Sequence, residues 1–144
     1  MRQTFILPAG GVALAVLLSL ASPSFAETMQ FKANLSGTTE VPPNQSKGSG
    51  EVTASYDTSS KVLTWKGTYS GLSGDATAAH FHGPADPGKN AGVAVAIKPF
   101  GSPFDGTATL TDAQAADLVA GRWYVNVHTK DDPGGELRGQ LTKM

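Results

Sequence analysis

The chain has 144 residues, balances 11 Lys and Arg against 12 Asp and Glu for a net charge of −1, and contains no cysteine. Those counts exclude a disulfide scaffold, a thiolate metal centre, a thiol enzyme and a basic nucleic-acid binder. The 17 glycines and 9 prolines call for many turns, while 40% hydrophobic and 8% aromatic residues suit one globular, mostly β domain.

In chain order, residues 1–26 read as a signal peptide. Arg2 precedes an apolar run from Phe5 through Leu20, and Ser24-Phe25-Ala26 supplies the small-x-small pattern of a cleavage site. Pro8, Gly10 and Gly11 interrupt the run, which sets it apart from a transmembrane anchor. Cleavage leaves residues 27–144, starting at Glu27, with a net charge of −2 because Arg2 is lost and no second stretch of membrane length. The expected destination is the periplasm or the cell exterior.

Beyond Glu27, apolar and polar residues alternate with the period of half-buried strands. Met29, Phe31, Ala33 and Leu35 form one face, and Val52, Ala54 and Tyr56 repeat it. The turn formers Asp57-Thr58-Ser59-Ser60 lead into Leu63, Trp65 and Tyr69, which makes a hairpin. Further strands are expected near residues 76–82, 92–98, 106–110, 123–128 and 136–142. Pro42 and Pro43 remove backbone donors from the segment 41–50, which reads as an exposed loop. One short helix is expected after Thr111, with Gln114 three residues on as in a capping box and Gly121 as its end, bridging two sheets. The fold class is therefore all-β, a Greek-key antiparallel sandwich or barrel of about eight strands with one short helix.

The chemistry concentrates in three histidines. His80-Phe81-His82 places both imidazoles on one face of a strand and Phe81 on the other. If Trp123, Val125 and Val127 face the core, then Tyr124, Asn126 and His128 face outward, and the same parity applied to Ala79 and Phe81 sends His80 and His82 outward. The three histidines meet on one sheet face if their strands are neighbours. Three neutral imidazoles then form a nitrogen set for copper or zinc with a position left open. The bland alternative is a solvated strand edge. On the last strand, Leu137 and Leu141 take the core and leave Glu136, Arg138 and Gln140 on the outer side. There Arg138 reads as the partner of Glu136 in a solvated ion pair, or as a cation beside the histidines. The acidic run Asp131-Asp132-Pro133-Gly134-Gly135-Glu136 lacks the ligand alternation of an EF-hand and reads as a turn. Glu40 and Glu136 are a carboxylate pair of unspecified separation, and Ser73 is a turn residue.

Five blocks in order resemble the CHRD domain, the module first named from chordin: Phe31-Lys32-Ala33-Asn34-Leu35-Ser36-Gly37, Glu40-Val41-Pro42-Pro43, Ala78-Ala79-His80-Phe81-His82-Gly83-Pro84, Tyr124-Val125-Asn126-Val127-His128-Thr129 and Gly134-Gly135-Glu136-Leu137-Arg138-Gly139-Gln140-Leu141. The resemblance spans nearly all of residues 27–144 and implies an exported or extracellular module, with a protein-binding precedent in chordin. More distantly, His80, His82 and His128 are similar in type and order to the copper ligands of Cu,Zn superoxide dismutase, and Arg138 falls where that family has its active-site arginine. The fourth histidine, the long zinc loop and the disulfide of that family are missing here. Copper binding, with zinc as the lesser alternative, is accordingly expected over dismutase turnover, with Glu136 and Arg138 as neighbours that orient an imidazole or a bound anion. Two further readings stand beside this one: an interaction or structural module that binds a protein partner and no metal, and a superoxide-dismutase-like copper enzyme.

Overall fold

In the computed structural model, residues 25–144 are described. The expected signal peptide falls on residues 1–26, nearly all of it outside that range. The chain runs β1 (Thr28–Ser36), a 3-10 turn (Gly37–Thr39), β2 (Ser49–Asp57), β3 (Val62–Ser70), β4 (Ala76–His82), β5 (Val93–Ala96), β6 (Phe104–Thr109), α1 (Asp112–Val119), β7 (Tyr124–Thr129), β8 (Leu137–Gln140) and β9 (Thr142–Lys143). The strands form one antiparallel sheet in the order β5-β4-β7-β8-β1-β2-β3-β6, with β9 added beside β1.

Period two explains the core. Phe31, Ala33 and Leu35 on β1, Val52, Ala54 and Tyr56 on β2, and Leu63 and Trp65 on β3 all point inward and are buried. Ala79 and Phe81 on β4, Val125 and Val127 on β7, and Leu137 on β8 join the same cluster. Trp65 meets Phe81 edge to face at 5.1 Å although their strands lie five places apart along the sheet, so the sheet curls round and nearly closes into a barrel. Gly106 sits where any Cβ would overlap the Trp65 ring, so the close approach of β6 to β3 requires glycine there. The connections β3 to β4, β5 to β6 and β6 to β7 pass from one half of the sheet to the other, in Greek-key fashion.

The seam lies between the edge strands β5 and β6. Tyr69 donates its hydroxyl to the Phe100 carbonyl at 2.8 Å, and Gln114 of α1 donates to the Ala94 carbonyl at 3.2 Å. Helix α1 thus covers the opening of a single sheet rather than bridging two sheets. It starts in the expected capping box, with Gln114 N–H donating to Thr111 Oγ1 at 3.1 Å and Thr111 N–H donating to Gln114 Oε1 at 2.9 Å.

Two local expectations are corrected. Residues 41–48 contain no strand, as the prolines dictate, but they are stitched to the barrel: Asn44 donates to the Glu136 carbonyl at 2.9 Å and Gly48 is buried. The last strand, expected over 136–142, is split into β8 and β9, because Leu141 N–H turns to the Trp123 carbonyl at 2.9 Å before β9 pairs with β1.

The β2–β3 turn carries a pH signature. Asp57 Oδ1 accepts from Ser59 N–H at 2.8 Å, Ser60 N–H at 2.9 Å and the Ser59 hydroxyl at 2.7 Å. These bonds, led by that from the Ser60 amide, hold its carboxyl down at about 2. A depressed folded pKa adds stability above the unfolded value of about 3.9 and loses it as pH falls toward the folded one. Asp57→Ala should therefore unfold more easily than the wild type at pH 6, with the gap closing between pH 4 and pH 2 in thermal melts. A gap that stays constant over that range would show that Asp57 does not act through its charge.

Candidate metal centre

Strands β4 and β7 are neighbours, and their register builds the site. Ala78 lies opposite His128, His80 opposite Asn126, and His82 opposite Tyr124. Parity holds His80, His82, Tyr124, Asn126 and His128 on the outer face while Ala79, Phe81, Val125 and Val127 fill the barrel. The three imidazoles converge: each offers a ring nitrogen, and these nitrogens lie within 4.8 Å of one another. The His80 and His128 rings are 4.9 Å apart between centroids, the His80 and His82 rings 5.4 Å.

The tightest pair is His80 Nδ1 and His128 Nε2 at 3.0 Å. Two nitrogens that share a cation at about 2.0–2.1 Å stand roughly 2.8–3.4 Å apart, from right-angled to tetrahedral geometry. His128 Nδ1 donates to the Pro133 carbonyl at 2.9 Å, which leaves the Nε2 lone pair directed at His80. His82 is anchored likewise by the Ala91 carbonyl, 3.0 Å from Nδ1, which can accept a proton there while Nε2 holds a cation. A backbone carbonyl behind the imidazole is the arrangement that orients metal-binding histidines. Burial, reinforced for His80 by the neighbouring imidazoles, lowers the pKa of His80 and of His82, so both favour the neutral form a cation needs.

The surrounding groups hold His82 in place. Its ring stacks on Tyr124 at 4.9 Å and 4°. The Tyr124 hydroxyl accepts from Ala91 N–H at 3.1 Å and donates to the Ala91 carbonyl at 3.2 Å, which pins the end of the 83–92 loop. Arg138 lies over the Tyr124 ring at 3.5 Å, from the β8 side of β7. Its guanidinium donates to Asn90 Oδ1 at 2.8 Å and to the Lys89 carbonyl at 2.5 Å, and it is 2% exposed. Arg138 therefore acts on His82 through Tyr124 and the loop.

Glu136 lies elsewhere, and it forms no ion pair with Arg138. It is fully buried, and its carboxylate accepts from Ser46 Oγ at 2.6 Å, Ser73 N–H at 2.8 Å, Ser73 Oγ at 2.7 Å and Thr129 Oγ1 at 2.7 Å. Burial opposes its charge, yet these bonds outweigh the burial and hold its pKa below the usual carboxylate range. Ser73 is thus a turn residue with a specific partner, and the solvated outer-face pair expected from the sequence is replaced by two enclosed groups with different neighbours.

Sequence reasoning placed Tyr124 and Asn126 outward without giving them a role, and it missed the position of Glu40. Asn126 Nδ2 donates to Glu40 Oε1 at 3.0 Å and to the Gly134 carbonyl at 3.3 Å, while Asn126 Oδ1 lies 3.0 Å from His82 Nε2. Glu40 is 5% exposed; burial raises its pKa, against the bond from Asn126 and the attraction of Arg138. Gly135, at φ +132, leaves this contact open, since any Cβ there would overlap both Asn126 Nδ2 and Glu40 Oε1. Parity on β7 was the available signal for Asn126, whereas nothing local connects Glu40 to a residue 86 positions away.

Residues 31–141 match the sequence model of the CHRD domain. The chain belongs to the CHRD domain family. The match begins within β1 and takes in every strand from β2 through β8, and hence all three histidines of this CHRD domain, together with Glu40, Asn126 and Arg138. Neither a curated protein nor a solved structure matches the chain. Among the described residues of the CHRD protein, no helix is long and apolar enough to cross a membrane.

Proposed function

We propose that this CHRD protein is exported and binds one copper ion, or with less preference zinc, through His80, His82 and His128 on the outer face of the barrel. The observation that carries the reading is the His80 Nδ1 and His128 Nε2 pair at 3.0 Å, with His82 beside it and carbonyls behind two of the three rings. A nitrogen set of this kind takes divalent copper ahead of zinc at equal availability. Export is supported by the pattern of residues 1–26 and by the extracellular character of CHRD domains generally.

The function proposed is binding rather than turnover. Arg138, the residue that would attract a small anion in a dismutase, is enclosed and engaged with Asn90, Lys89 and Tyr124. Its charge supports the loop behind His82.

Calorimetric titration of the metal-free protein with Cu(II) and with Zn(II) tests the proposal. The expected result is one site of sub-micromolar Cu(II) affinity that disappears in the His80→Ala/His82→Ala double variant. A folded wild type without saturable binding of either ion would refute it.

A further inference from the structure

His82 Nε2 lies 3.0 Å from Asn126 Oδ1, the same separation as the His80 and His128 nitrogens and one that suits two atoms sharing a cation. When Nε2 holds the cation proposed above, the His82 proton stays on Nδ1, facing the Ala91 carbonyl. The Asn126 amide is oriented from its other end, because Glu40 Oε1 and the Gly134 carbonyl both accept from Nδ2. In that state two lone pairs lie 3.0 Å apart in a buried position, an arrangement that a cation bound by both makes favourable. Asn126 also lies directly across from His80 in the β4–β7 ladder, between the positions of His128 and Tyr124. Asn126 thus stands on the same sheet face as all three histidines, with its oxygen against His82.

We propose that Asn126 Oδ1 is a fourth protein ligand of the cation, and that Glu40 is a positioning residue that keeps this oxygen, rather than the amide nitrogen, turned toward the site. The inference rests on the three-histidine reading above and extends it from three nitrogens to a set of three nitrogens and one oxygen. Such a set suits the tetragonal preference of Cu(II), while the hard carboxamide oxygen offers little to Cu(I). The site is thereby assigned to the oxidised ion. Gly135 belongs to the same device, since a side chain there would displace both Asn126 and Glu40.

Diamagnetic Zn(II) provides a test on the unaltered protein, by NMR of the side-chain carbonyl carbons. The Asn126 Cγ resonance is expected to move together with the three histidine ring signals, while those of Asn34 and Asn44 stay in place. Histidine signals that respond while Asn126 Cγ does not would overturn the fourth ligand and leave the three-histidine site standing. No response from any of them would overturn both. In parallel, Asn126→Ala and Glu40→Gln should each weaken Cu(II) binding by about ten-fold or more. Asn126→Ala alone should change the Cu(II) electron paramagnetic resonance spectrum from that of a three-nitrogen, one-oxygen protein set. An Asn126→Ala variant that folds and keeps wild-type affinity and spectrum would refute the assignment.

Discussion

Replacing Glu136 by alanine should lower the stability of the protein by about 3–5 kcal/mol, the largest effect expected of any polar substitution in this fold. One carboxylate joins three segments that are distant in the chain: the 41–48 segment through Ser46, the turn after β3 through Ser73, and β7 through Thr129. Alanine would leave the Ser73 amide and three hydroxyls without their acceptor. Water could reach Ser73 at the surface, but Thr129 is 1% exposed. Glu136→Gln preserves the shape and should cost less, because the hydroxyls can accept from an amide as well as donate to its oxygen. The charge adds a pH dependence of definite sign. The folded pKa is depressed, so its contribution is complete above the unfolded value of about 4.3 and is lost as pH falls below it. Urea denaturation at pH 7 and at pH 3 measures both effects. A loss below about 1 kcal/mol for Glu136→Ala at pH 7 would mean that the four bonds contribute little more than water would.

Removing His80 or His128 singly should weaken Cu(II) binding by more than about 100-fold, beyond the range that outer-shell changes produce. Each supplies one nitrogen of the 3.0 Å pair, and neither has a nearby substitute of the same chemistry. The metal-free protein should keep its stability within about 1 kcal/mol, since both side chains lie on the outer face and are only partly buried. That separation between binding and folding distinguishes a metal centre from a structural brace. His82→Ala should behave differently and cost stability too, because His82 is nearly buried, stacks on Tyr124 and holds Ala91. Affinity should also fall with acid. Imidazoles bind only when neutral, and burial lowers the pKa of His80 and His82, so the fall should begin below about pH 6.5 rather than above it. Titrations from pH 5 to pH 8 provide the check, and an affinity indifferent to pH across that range would contradict imidazole ligation.

Much of this architecture is legible residue by residue. The alternation of Phe31, Ala33 and Leu35, or of Val125 and Val127, is a local pattern that period two converts directly into a buried face. The Thr111 to Gln114 spacing is equally local, since both capping bonds close within one helical turn. Outward parity put His80, His82 and His128 on the same side before any pairing was known. Arg138 and Glu136 show where such reading stops. Parity placed both outward, but outward from the barrel is not the same as exposed, because the 83–92 loop covers one and the 41–48 segment with the Ser73 turn covers the other.

The amino-acid sequence by itself thus determined the strands, the capped helix, the CHRD family and which side chains leave the barrel, because each depends on residues close together along the chain. The tertiary structure alone decided that β4 lies beside β7, which brings His80 within 3.0 Å of His128, and that a carboxylate from residue 40 orients Asn126 toward His82. Strand order and loop coverage arise from closing the sheet around one core, where the pairing that buries the most apolar surface wins, and a two-residue period carries no record of which strand that partner will be.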